Sequence, residues 1–140
     1  LDVPSLTSTG GDLPPWTCHR FLPRAKVSTE VLFNDALPTL DVTTTHSPTT
    51  GGGFYVRSND ALTTLDVPSL TSTGGGFYVY INFELTTLDV PSLTSTGYSF
   101  DVRNNDALTN LNVPRLASTG GGFYVRSNDA LTTLDVPSLT

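Results

Sequence analysis

The chain has no methionine, one cysteine and one tryptophan in 140 residues, and only 14% of it is charged. A single cysteine excludes an internal disulfide framework and a cysteine-rich zinc site. Seven basic residues against a net charge of −6 leave no cationic surface for phosphates, so no nucleic-acid partner is expected. A solvating acidic tail would carry far more charge than this. No apolar run approaches the roughly 20 residues of a membrane span, so no transmembrane segment is expected. No charged-then-apolar leader is visible either. Threonine fills the place of the missing charge, with 23 copies.

The threonines recur on a period. Leu65, Leu88, Leu111 and Leu134 each open a Leu-Asp/Asn-Val-Pro phrase, and Phe54, Phe77, Phe100 and Phe123 keep the same interval of 23 residues. One full unit runs from Gly74 to Thr96, with further copies beginning near Gly51, Gly97 and Gly120. The heptad Leu-Asp-Val-Pro-Ser-Leu-Thr stands at Leu1–Thr7 and again at Leu134–Thr140. Residues 1–140 are therefore expected to be a single array, a window on a longer one.

A unit of this length cannot enclose a core. Its inward apolar positions, Phe77, Val79, Leu85, Leu88, Val90 and Leu93, need neighbouring coils to cover them, which is the logic of a solenoid. Phe-x-Val alternates as a half-buried strand does, with Phe54 and Val56 inward and Tyr55 and Arg57 outward. The glycines before it are expected to supply a tight turn. Leu65-x-Val67-Pro68 is a second extended run, and Pro68 should end it. No segment carries a helical period. The expected fold class is β: a solenoid of about five coils with a parallel sheet on one face, extended or irregular legs elsewhere, and little or no helix.

The phrase Phe-x-Val-x-x-Asn-x-x-Leu resembles the Leu-x-Leu-x-x-Asn-x-x-Leu core of leucine-rich repeats. The longer phrase Asn-Asp-Ala-Leu-Thr-Thr-Leu-Asp-Val-Pro-Ser-Leu-Thr-Ser-Thr-Gly-Gly resembles the receptor L-domain-like branch, closely over residues 51–140 and in part over 1–11 and 34–42. This resemblance implies a right-handed leucine-rich-repeat-like coil, an exposed sheet that serves as the binding face, and an extracellular or cell-surface setting. It also implies a buried asparagine ladder of Asn34, Asn59, Asn82, Asn105 and Asn128. Physical chemistry agrees on the ladder, because buried amides need partners and a stacked column offers them.

Residues 12–33 break the pattern that residues 34–140 keep. They hold Trp16, Cys18 and His19. Adjacent residues of a strand face opposite ways, so Cys18 and His19 do not make a thiolate dyad by adjacency. The codons CTT ACC ACC TTG GAC GTG CCA TCG spell the repeat phrase Leu-Thr-Thr-Leu-Asp-Val-Pro-Ser. Read one base later they spell Leu-Pro-Pro-Trp-Thr-Cys-His-Arg, which is Leu13 to Arg20. The stretch is thus expected to be a repeat read out of frame. Residues 26–33 alternate and should still take the strand position before Asn34. Thr43 to Thr50, with His46 and Pro48, is two residues longer than the matching leg elsewhere and reads as a bulged loop.

The regular repeats contain no His or Cys, and each carboxylate copies its neighbours, so neither catalysis nor a cofactor is expected. Asp66, Asp89 and Asp135 form one acidic column with Asn112 in it; Asp60, Asp106 and Asp129 form another, broken by Phe83. Stacked carboxylates suit calcium in principle, but no acidic calcium-loop motif is present and no metal is expected. Arg57, Arg103 and Arg126 are placed to pair weakly with the second column.

The outward strand columns are richer. Tyr55, Tyr78, Asp101 and Tyr124 share one, and Arg57, Tyr80, Arg103 and Arg126 share the next. Tyr and Arg are favoured in binding surfaces, so these eight residues are the candidate face for a protein or glycan. A structural spacer and a filament module that self-associates end to end are the non-binding readings. An ice-binding solenoid is a further alternative, requiring Thr71 and Thr73 both outward in flat ranks.

Overall fold

The computed structural model describes residues 29–32, 38–41 and 49–140. Within them the chain winds as a β-solenoid of about four turns, with every strand in a parallel sheet and no helix. The first sheet runs in order through Thr29–Leu32, Phe54–Arg57, Phe77–Tyr80, Phe100–Arg103 and Phe123–Arg126. A second contains Thr39–Asp41, Thr64–Asp66, Thr87–Asp89, Asn110–Asn112 and Thr133–Asp135. A third contains Thr49–Thr50, Ser72–Thr73, Ser95–Thr96 and Ser118–Thr119.

The expectation of a sheet on one face is thus too narrow. The other two legs also form ladders, but their strands of three and two residues are too short to display a period of two in the sequence. Pro68 follows the second-sheet strand and opens a turn, as expected of a residue that cannot donate. Thr29 faces Phe54 and Thr39 faces Thr64, a shift of 25, whereas Thr49 faces Ser72, a shift of 23. The two additional residues therefore enter between Asp41 and Thr49, within the leg that the sequence marks as long. Thr29–Leu32 takes the strand position foreseen for residues 26–33. The remainder of 12–33, with Trp16, Cys18 and His19, lies outside the described residues, as do Asn34, His46 and Pro48.

In-register stacking places identical side chains one strand spacing apart, about 4.8 Å. That spacing suits aromatic stacking. The inward rings of Phe54, Phe77, Phe100 and Phe123 stack nearly parallel along the axis, 4.7, 5.0 and 5.1 Å centroid to centroid. Phe77, Val79, Leu85, Leu88, Val90 and Leu93 are all fully buried.

Two polar columns share this interior. Asn105 Oδ1 accepts from the backbone N–H and the Nδ2 of Asn82, both at 3.1 Å, and Asn128 Oδ1 serves Asn105 in the same way. The second amide proton goes to a carbonyl of the preceding coil: Asn105 Nδ2 donates to Val79 O at 3.1 Å and Asn128 Nδ2 to Val102 O at 3.0 Å. The ladder thus runs through Asn59, Asn82, Asn105 and Asn128. The other column is threonine. Thr73 and Thr96 are buried, and their hydroxyls donate to the carbonyls of Gly75 and Tyr98 two residues on.

The residue before each ladder asparagine is left-handed: Ser58, Ile81, Asn104 and Ser127 have φ of 56°, 59°, 54° and 51°. The conformation turns the chain out of the first sheet. For the β-branched Ile81 it is costly.

Candidate functional site

Strand alternation delivers all eight candidate residues to one face of the first sheet. Tyr55, Tyr78, Asp101 and Tyr124 are in register, and so are Arg57, Tyr80, Arg103 and Arg126. The rings of Tyr55 and Tyr78 stack at 4.9 Å. Tyr80 lies between two guanidiniums, those of Arg57 at 6.0 Å and Arg103 at 5.3 Å from its ring centroid, and so separates like charges that stacking would otherwise set side by side. Arg126 lies over the Tyr124 ring at 5.6 Å.

Arg103 and Arg126 were expected to turn towards the Asp106 column. They instead approach Asp101 Oδ2, at 3.6 and 3.9 Å. Asp101 departs further from expectation, because it is only 7% exposed despite its outward direction. It sits in the tyrosine column between Tyr78 and Tyr124, and its Oδ1 has no hydrogen-bond partner. The Tyr78 phenol has its pKa raised above the ordinary value of 10.0, first by burial and then by the neighbouring Tyr55 and Asp101. In the acidic column of the second sheet, Asn112 Nδ2 donates to Asp89 Oδ1 at 2.8 Å, again relieving a stack of like charges.

The glycines do lie at the bend that leads into each first-sheet strand, but a left-handed conformation is not what requires them. None of the described glycines has positive φ. They are needed for close approach. A Cβ on Gly97 would stand 2.2 Å from the carbonyl oxygen of Gly74, and one on Gly120 would stand 2.1 Å from that of Gly97. A Cβ on Gly53, Gly76 or Gly122 would strike the ring of the tyrosine two residues later, at 2.5, 2.4 and 2.3 Å. The fourth member of that glycine column is Ser99, and the residue two positions after it is Asp101 rather than tyrosine. Among the four coils from Gly53 to Gly122, glycine is lost in the one whose outward residue is not tyrosine.

Across three successive coils this arrangement leaves an open depression of about 340 Å³, bordered by Gly51, Gly52, Gly53, Gly74, Gly75 and Gly76 and by Tyr55, Tyr78 and Tyr98. Tyr98 was not among the residues singled out from the sequence. It is 62% exposed, and its N–H donates to Gly75 O, so it takes the place that Gly52 and Gly75 hold in their coils. That exchange of the smallest residue for a large ring was the available signal.

The threonine ranks differ from those an ice-binding face requires. Thr73 and Thr96 are turned inward. The exposed Thr63, Thr86, Thr109 and Thr132 column donates its hydroxyls to backbone carbonyls of the preceding coil, among them Thr86 to Thr63 O at 3.0 Å and Thr109 to Thr86 O at 3.1 Å. The chain matches no protein-family model, no curated protein and no solved structure.

Proposed function

We propose that this chain is a non-catalytic recognition segment of a leucine-rich-repeat-like array displayed outside the cell or on its surface. Its contact surface is the outward face of the first sheet. The observation that carries this reading is where the coils differ. Inward positions repeat almost letter for letter: Phe54, Phe77, Phe100 and Phe123; Val56, Val79, Val102 and Val125; Leu65, Leu88, Leu111 and Leu134. On the outer side, Tyr80 replaces arginine, Asp101 replaces tyrosine and Tyr98 replaces glycine. A spacer has no use for a varied aromatic and cationic surface, whereas recognition does. The inward Thr73 and Thr96 and the backbone-bound hydroxyls of Thr86 and Thr109 speak against the ice-binding alternative.

The test is binding of the 140-residue chain to glycan and protein arrays, compared with a Tyr55→Ala/Tyr78→Ala/Tyr124→Ala variant. Loss of capture in the variant supports the reading. A variant that keeps full binding removes the sheet face from consideration.

A further inference from the structure

We infer that Tyr55 and Tyr78 are an oxidative cross-linking site, at which a dityrosine bond joins one coil to the next. The inference concerns a modification of the chain itself and does not depend on the recognition reading of the same face. Dityrosine forms when two tyrosyl radicals meet through a Cε carbon of each ring, beside the hydroxyl. The rings must therefore be neighbours, hold matching poses and stay within reach of an oxidant. This pair meets all three conditions. The rings stack at 4.9 Å between centroids and 20° between planes. Each turns the same edge, Cε2, Cζ and the hydroxyl, onto the glycine two residues before it, Gly53 for Tyr55 and Gly76 for Tyr78. In-register strands then set like carbons of the two rings against each other. Both residues are only half-buried. Groups held in this way couple in an effectively unimolecular step.

The chain has five tyrosines, and the stack selects these two. Asp101 stands between Tyr78 and Tyr124 in their column and keeps them two strand spacings apart. Tyr80 has Arg57 on one side and Arg103 on the other. Tyr98 precedes its strand, Phe100–Arg103, and belongs to neither column. A chain with one cysteine cannot tie its coils by disulfides, and this bond closes the same kind of loop, 23 residues from Tyr55 to Tyr78. The oxidant is hydrogen peroxide acting through a haem peroxidase. Each phenol gives up one electron and its hydroxyl proton, and the two radicals join Cε to Cε. The hydrogen on each joined carbon then passes to the phenol oxygen and restores the aromatic ring. Two electrons and two protons leave in all, and peroxide takes them up to become two waters.

The full chain, treated with a haem peroxidase and peroxide and, in parallel, with photo-excited ruthenium tris-bipyridine and persulfate, tests the site. The monomer is expected to gain dityrosine fluorescence and to lose the mass of two hydrogen atoms. Trypsin cuts after Arg57 and parts the two tyrosines, so the bond is read as residues 27–57 joined to 58–103, with fragmentation placing it on Tyr78. Tyr55→Phe and Tyr78→Phe keep a ring in the stack, yet each should abolish this bond. Tyr80→Phe, Tyr98→Phe and Tyr124→Phe should retain it. Asp101→Tyr, which makes the column continuous, should add a second bond, to Tyr124. In urea the preference for the Tyr55–Tyr78 pair should vanish. Absence of dityrosine under both oxidants overturns the assignment. So does a bond made chiefly between molecules, a bond from Tyr78 to Tyr80 or Tyr98 in place of Tyr55, or the same pairing in urea as in buffer.

Discussion

Removing the Asn105 side chain tests the ladder most directly, because each of its bonds has an identified partner. Asn105 is fully buried. In Asn105→Ala the backbone N–H of Asn82 loses the acceptor it holds at 3.1 Å, and Val79 O loses a donor at 3.1 Å. Asn82 Nδ2 keeps the carbonyls of Val56 and Tyr80, so only one donor is fully orphaned. An orphaned buried N–H costs about 1–3 kcal/mol, and the vacated amide volume adds on the order of 1 kcal/mol. The expected loss is about 3 kcal/mol, roughly two orders of magnitude in the folding equilibrium. Equilibrium urea unfolding followed by far-ultraviolet circular dichroism reads this as a lower midpoint at unchanged slope. Asn128→Ala should cost less than half as much, because Asn128 is only half-buried and water reaches the gap. Asn105→Asp keeps an acceptor but sets a carboxylate oxygen against Val79 O and Asn128 Oδ1. Burial and those two acceptors raise its folded pKa above the unfolded value, so its stability is greatest in acid and falls as pH rises through the folded pKa. A loss below about 1 kcal/mol for Asn105→Ala, or a flat pH profile for Asn105→Asp, would refute the ladder as a source of stability.

Three further outcomes follow from the same geometry. Ile81→Asn should stabilise the chain by about 1 kcal/mol in urea unfolding, since the residue stands at φ 59° and Asn104 already occupies the same place one coil on. Ser99→Gly/Asp101→Tyr should raise stability by about 1–2 kcal/mol, read as a higher melting temperature, because it removes a buried carboxylate oxygen without a partner and inserts a ring between Tyr78 and Tyr124; Asp101→Tyr with Ser99 retained should gain less, as the serine Cβ meets the new ring. The raised pKa of Tyr78 means that its stabilising contribution is complete below the unfolded value of 10.0 and is lost as pH climbs through the folded one. Urea midpoints measured across the alkaline range should therefore fall less steeply in Tyr78→Phe than in the parent chain.

Much of the fold is legible in the letters because each coil restates the same constraints. Phe-x-Val marks a strand and assigns its faces, and all of Phe54, Val56, Phe77 and Val79 point inward. The asparagine column is legible too, since a polar residue kept among inward positions must find its partner in the next copy. The second leg was legible as an extended run at Leu65–Val67, but its pairing into a sheet, and the third sheet altogether, were hidden. Thr64–Asp66 is too short to announce a ladder and Ser72–Thr73 carries no pattern of its own, and only the neighbouring coil turns them into sheet. The candidate face was readable as two columns of tyrosine and arginine, but its depth was not. Asp101 reads as an exposed acid, and it is buried because the residues stacked on either side of it are Tyr78 and Tyr124.

The glycines mark the division most clearly. Local reasoning places them at a turn, and they do stand at the bend before each first-sheet strand, but the left-handed positions belong to Ser58, Ile81, Asn104 and Ser127. The glycines answer to steric limits set by groups distant along the chain, such as the Gly74 carbonyl beneath Gly97, or set by a ring folded back over them, such as Tyr78 over Gly76. The 23-residue period, the inward and outward faces and the asparagine column were determined by the sequence alone, because they depend on which residue repeats and how often. The depression, the burial of Asp101 and the reason for each glycine were decided only by the tertiary structure. They depend on how closely one coil lies against the next, a distance that no single repeat contains.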